Sequence, residues 1–196
     1  MIRELKKVDD HISLFEMKSN ALEVLVTNFG GTIIRLLMPD KNGQKGDVVL
    51  GYDSIAEYQT KDAYLGALVG RTANRTRKGT FSLNGKTYTL PLNDGPNSLH
   101  GGVHGFSQKV FDAKIQGDSL VLTYLSPDGE EGYPGNLRLT ATYTVKGRYA
   151  DAPLSGYHRS GYPHQHHQSL LLQPLWRPRG YLQPHLAGAQ RYIRLH

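Results

Sequence analysis

Short β-prone runs separated by turn residues decide what this chain can fold into. Residues 22–29 alternate Leu22, Val24 and Val26 on one face; Gly30-Gly31 interrupts them, and residues 32–38 resume before the turn Pro39-Asp40-Lys41-Asn42-Gly43. Phe81 and Leu83 precede Asn84-Gly85, and Tyr88 and Leu90 follow it. Asn-Gly between alternating runs predicts a hairpin, because both central turn positions require positive φ. Further strands are expected at residues 12–15, 47–51, 110–115, 119–125 and 136–145, split by Gln116-Gly117-Asp118 and Pro127-Asp128-Gly129. One helical turn is expected at residues 54–58, since Ser54 can cap it and Glu57 follows three residues on. Many short strands at close spacing argue an all-β sandwich or barrel rather than βαβ units. No internal repeat is visible.

Composition narrows the partners. A chain of 196 residues is ample for one domain with a real core. It contains no apolar run of the length that crosses a membrane, and its first residues lack the apolar stretch of a signal peptide. With no cysteine, disulfide and thiolate chemistry are absent, which suits a cytoplasmic protein. The net charge of +6 suggests nucleic acid at first. Residues 147–196, however, hold six Arg, no Lys and one acid, Asp151, so the body, residues 1–146, is nearly neutral. Neither a nucleic acid nor a membrane partner is expected.

Within the body, residues 65–69 form an apolar run that leads into a polar cluster of Arg71, Asn74, Arg75 and Arg77. After the hairpin the chain reaches Asn97-Ser98-Leu99-His100-Gly101-Gly102. Polar side chains at strand ends beside glycines suit a hydroxyl-rich ligand. The run GRTANRTRKGTFSLNGKTYTL, followed by NSLHGG and GF, resembles the aldose 1-epimerases, the galactose mutarotases. NFGGTIIRLLMPDKNG and DVVLGYDS before it, and YLSPDGEEGYPGNLRLTATYTV after it, match in the family's order. The resemblance covers residues 2–146. It implies a large antiparallel β-sandwich, incomplete here on its C-terminal side, and a small-molecule aldohexose such as glucose or galactose as substrate.

The tail, residues 147–196, breaks the pattern: half of the ten prolines and six of the nine histidines fall there. Taken at face value it is a basic, His- and Pro-rich extension expected to be disordered. His164, His166 and His167 lack acidic or cysteine partners, so a solvated segment is the better reading than a metal site. Back-translation suggests where the tail comes from. Read from the second base of each codon, residues 156–177 are compatible with D-T-T-D-A-D-T-P-T-N-I-T-N-H-S-Y-F-N-L-S-G. Trp176-Arg177 forces a glycine codon, and the Ser169-Leu170 junction can encode histidine. Residues 180–189 are compatible with D-I-Y-N-H-I-L-Q-V. These readings resemble the family's next segment, which implies a one-base frameshift near Gly147-Arg148.

Interconverting sugar anomers requires a base to take the anomeric hydroxyl proton and an acid to protonate the ring oxygen, after which the roles reverse. In the family that pair is a glutamate late in the chain and a histidine in an NHSYFNL-type motif. Neither is present here in frame, so no complete catalytic set is expected and the truncated chain is expected to be inactive. Carried over by motif, Asn74 and Arg75 match the family's sugar-contacting pair and His100 its first site histidine. Arg75 offers rigid donors to sugar oxygens, and His100 can donate to a hydroxyl or to the ring oxygen. Arg71 and Arg77 are expected to be structural or solvent-facing, and His104 to line the rim. No Gly-x-Ser-x-Gly elbow, phosphate loop or metal-ligand spacing appears in the body, and no cofactor or metal is expected. The alternative is a non-catalytic carbohydrate-binding β-domain.

Overall fold

The computed structural model describes residues 1–61, 63–147, 149–152, 154–158 and 167–168. The chain begins with an antiparallel meander, β1 (Ile2–Lys7), β2 (Ser13–Lys18), β3 (Glu23–Thr27), β4 (Thr32–Pro39) and β5 (Lys45–Asp47), hydrogen-bonded in that order. A short α-helix, α1 (Ile55–Thr60), follows; Glu57 reaches back to accept from the Ser54 N–H at 3.1 Å. The middle of the chain carries short pieces: β6 (Leu68–Val69), β7 (Arg75–Thr76), the hairpin β8 (Thr80–Leu83) and β9 (Lys86–Thr89), and β10 (Ser98–Leu99). A second sheet is built from β11 (Asp112–Gln116), β12 (Ser119–Ser126), β13 (Leu137–Lys146), β14 (Tyr149–Asp151) and β15 (Leu154–His158). β16 (His167–Gln168) pairs with β6.

The two large sheets bury a common core. Along β13, Leu137, Leu139, Ala141 and Tyr143 alternate inward, as a strand with one wet face must. They pack in one cluster with Leu120 and Leu122 of β12 and with Phe15, Met17, Val24, Val26, Ile33 and Leu36 of the first sheet. A register shift where β3 pairs with β4 lets Ile33 and Leu36 both point inward although they are three residues apart. The Tyr143 hydroxyl donates to the Gly31 carbonyl, tying the sheets together at a buried point. The fold is all-β and antiparallel, as expected.

One expectation needs correction, and one strand went unforeseen. The strand expected at residues 47–51 ends at Asp47, because the Asp47 carboxylate accepts from the N–H groups of Leu36 and Val49 and replaces ladder bonds there. β1 has no counterpart in the sequence reading, since five of its six side chains are exposed and no alternation shows. Within the segment expected to be disordered, the described residues 149–151 and 154–158 form β14 and β15, both paired to β13. The remainder of that expectation, with His164 and His166 and the side chain of His167, lies outside the described residues.

Candidate functional site

The polar cluster sits in the segment that connects the two sheets. β7 and β10 pair antiparallel, placing Thr76 opposite Ser98 and Arg75 opposite Leu99. The next pair outward is Asn74 and His100. The His100 N–H donates to the Asn74 carbonyl at 3.0 Å, and the Asn74 N–H donates to His100 Nδ1 at 3.1 Å. Because Nδ1 accepts, the proton of the neutral imidazole belongs on Nε2. Both residues hold left-handed backbone, with φ of 62° at Asn74 and 53° at His100. The Tyr64 ring stands edge-on to His100, 4.8 Å away at 62°.

Arg75 is steered from both sides. Its Nε donates to Asp94 Oδ2 at 2.5 Å and Nη1 to the Asn74 side-chain oxygen at 3.3 Å, while the side chain stays 55% exposed. Among the described residues no hydrogen bond uses Nη2, which leaves a donor edge for a ligand. Asn74 thus joins Arg75 and His100 at one corner, its side-chain oxygen accepting from the guanidinium and its backbone N–H donating to the imidazole. Such a corner presents donors to hydroxyl or ether oxygens of a small polar molecule.

The neighbouring arginines differ from it. Arg71 is only 4% exposed. It donates from Nε and Nη2 to Ser126 and Pro127 oxygens, and from Nη1 to the carbonyls of Pro134 and Gly135. It serves the structure by fastening the 126–135 loop behind the site. Arg77 is exposed. His104 is exposed and borders a small cleft with Arg71, Gly101, Glu131 and Tyr133. Gly101 and Gly102 hold φ of 99° and 110°, and a Cβ at either would collide, with the Gly70 carbonyl and with the Glu131 carboxylate respectively.

Beneath the cleft, Glu130 accepts from Tyr124, Ser126 and Lys109. Burial pushes the Glu130 carboxyl up, but Lys109, Ser126 and Tyr124 together outweigh burial and hold it below the ordinary carboxylate range. The Tyr124 hydroxyl is pushed well above its ordinary value, first by burial and then by the Glu130 carboxylate. A wider groove, about 330 Å³, lies elsewhere, between the outer face of β2 to β4 and residues 47–55. Its charged lining is Arg35, Asp47 and Asp53, with Arg35 already turned to Asp47 at 3.4 Å. It gathers no set of convergent donors, so the β7–β10 corner is the better candidate. Sequence reasoning missed Tyr64, Asn93 and Asp94. Asn93 and Asp94 read as turn residues before Gly95, and nothing local marks Tyr64 as a neighbour of His100.

The family model for aldose 1-epimerase matches residues 13–150. The chain belongs to the aldose 1-epimerase family. It is 46% identical over 136 residues to a galactose mutarotase of Sus scrofa and 42% identical over 144 residues to that of Homo sapiens. Those alignments cover 69% and 74% of this chain but only 40% and 42% of the relatives. An aldose 1-epimerase of Escherichia coli K12 is 37% identical over 134 residues, covering 67% of this chain and 39% of that protein. The structure of galactose 1-epimerase from Lactobacillus acidophilus superposes with a TM-score of 0.68 at 29% identity, over 81% of this chain and 48% of that one. An aldose epimerase homologue from C. elegans gives 0.65 at 31% identity, over 73% and 49%. The chain thus spans about two fifths of the length of the curated relatives and half that of the solved structures. Among the described residues no helix is long and apolar enough to cross a membrane.

Proposed function

We propose that this aldose 1-epimerase family member takes the α and β anomers of aldohexoses such as glucose and galactose as ligands, and that Asn74, Arg75 and His100 are the sugar-binding half of its site. The observation that carries this reading is the hydrogen-bonded link through Asn74, whose backbone exchanges a reciprocal pair of bonds with His100 while its side-chain oxygen accepts from the Arg75 guanidinium. Donors held in this way recognise ring and hydroxyl oxygens without a metal.

The chemistry requires a second, basic partner. The only acid in residues 147–196 is Asp151, and no histidine there lies in an Asn-His-Ser-Tyr context. The polypeptide as written therefore binds sugar but does not accelerate mutarotation, and its gene carries a one-base shift near Gly147-Arg148. Loss of a positioned general acid or base costs about 10²–10⁴-fold in rate, and loss of both costs more. Binding that does not favour the transition state gives no acceleration.

Polarimetry on fresh α-D-glucose or α-D-galactose tests both parts. The 196-residue chain should leave the spontaneous rate unchanged, whereas a gene with the frame restored near Arg148 should yield an active product that His100→Ala impairs. Catalysis by the unaltered chain that is lost on His100→Ala would refute the inactive reading. A frame-restored protein without activity would refute the mutarotase reading itself.

A further inference from the structure

We propose that Asn93 is the positioning residue of the site, holding the loop that aims His100. The proposal rests on the reading of Asn74, Arg75 and His100 as a sugar site. Its structural content does not depend on that reading. His100 sits in left-handed backbone at φ 53°, opposite Asn74 at 62°. A non-glycine residue in that region is strained, so something nearby must hold it there.

Asn93 supplies that hold. Its side-chain Oδ1 accepts from the Leu99 N–H at 2.6 Å, and its Nδ2 donates to the carbonyls of Leu99 at 3.0 Å and Gly102 at 2.8 Å. One carboxamide thus closes the backbone on both sides of His100, across the turn in which the Gly102 N–H also meets the Leu99 carbonyl at 3.1 Å. Those two carbonyls use both amide protons, so the contact from Nδ2 to the Tyr64 hydroxyl at 3.4 Å is a longer third one. Tyr64 in turn lays its ring against His100. Asn93 therefore governs the backbone of His100, Tyr64 its ring face and the Asn74 N–H its Nδ1 atom. Together they fix the position of the ring and leave its proton on Nε2.

Few side chains replace asparagine here. Aspartate keeps the acceptor for the Leu99 N–H but loses both donors and sets a carboxylate against two carbonyls. Alanine loses all three bonds. At metal-ligating histidines, supporting bonds of this kind fix tautomer and direction and their removal costs about 10–100-fold in metal affinity or activity; the lower end of that range is the expectation for this metal-free corner.

The test is made on the 196-residue chain, labelled with ¹⁵N at histidine. Long-range ¹H–¹⁵N correlation should show the His100 ring with its proton on Nε2. In Asn93→Ala and Asn93→Asp that pattern should give way to a tautomer mixture. The Tyr64→Phe variant keeps the ring and should retain the pattern. Titration with D-galactose should be about 10-fold weaker in both Asn93 variants than in the unaltered chain. Asn93→Asp serves if Asn93→Ala fails to fold. A folded variant of either kind with the unaltered His100 pattern overturns the proposal. If the unaltered chain binds no galactose, the sugar reading fails, and the tautomer comparison alone judges Asn93.

Discussion

Arg71 places every N–H of its guanidinium on oxygens of Ser126, Pro127, Pro134 and Gly135, with its side chain buried against the Tyr133 ring at 5.8 Å. A lysine brings three donors on a flexible stem and cannot reproduce that fork. Arg71→Lys should therefore destabilise the fold by about 3 kcal/mol, most of it from buried oxygens left unpaired, and urea unfolding will measure it. A change of less than about 0.5 kcal/mol would mean that water replaces the fork at no cost. Glu130 gives a second prediction, with a pH signature. Its folded-state pKa is depressed, so the stability it contributes is complete above the unfolded value of about 4.3 and is lost as pH falls through the lower folded value. Glu130→Gln should cost about 1–2 kcal/mol at neutral pH, and the difference should shrink as the solution is acidified below about pH 4. Thermal unfolding at a series of pH values reads this directly; a pH-independent difference would remove Lys109, Ser126 and Tyr124 as its cause.

Elements show where local sequence suffices. The turn between β8 and β9 has φ of 51° at Asn84 and 76° at Gly85, the positive pair that Asn-Gly predicts. No atom lies within 4 Å of a Cβ built on Gly85, so Gly85→Ala tests backbone strain alone. Its expected cost is about 1 kcal/mol, seen as a lower urea midpoint with unchanged slope. At Gly101 the same change adds a collision with the Gly70 carbonyl and should cost distinctly more. β14 and β15 illustrate the opposite case. Ladder hydrogen bonds use backbone groups that every non-proline residue carries, so the long edge of β13 can pair with a segment whose side chains read poorly as strand. The strand at residues 110–115 starts late for a related reason: Val110 makes an isolated bridge to Phe29, and the ladder with β12 begins at Asp112.

On the scale of the whole molecule, the contact between the two sheets carries the stability. Leu139 is 1% exposed within the shared core, whereas Leu125, on the opposite face of the same sheet, is 53% exposed. Leu139→Ala should cost about 2–5 kcal/mol and Leu125→Ala less than about 0.5, by chemical denaturation. Similar losses at the two positions would contradict the sandwich as drawn. The connecting segment with Asn74, Arg75 and His100 hangs between these sheets, so its geometry depends on a core made of residues far from it in sequence.

The sequence by itself determined the all-β class, the Asn84-Gly85 hairpin, the Ser54–Glu57 helix start and the inward alternation of Leu22, Val24 and Val26. Each of these follows from side-chain period or turn chemistry within a few residues. It also marked Asn74, Arg75 and His100 through the order of their motifs. Only the tertiary structure decided how those residues meet. Positions 74 and 100 become neighbours because β7 and β10 pair, and no local pattern announces a two-residue ladder. The same folding separated two arginines four residues apart: Arg71 went under the 126–135 loop, and Arg75 turned outward to Asp94. Burial and partner are properties of the surrounding chain, so identical side chains in one short stretch took opposite roles.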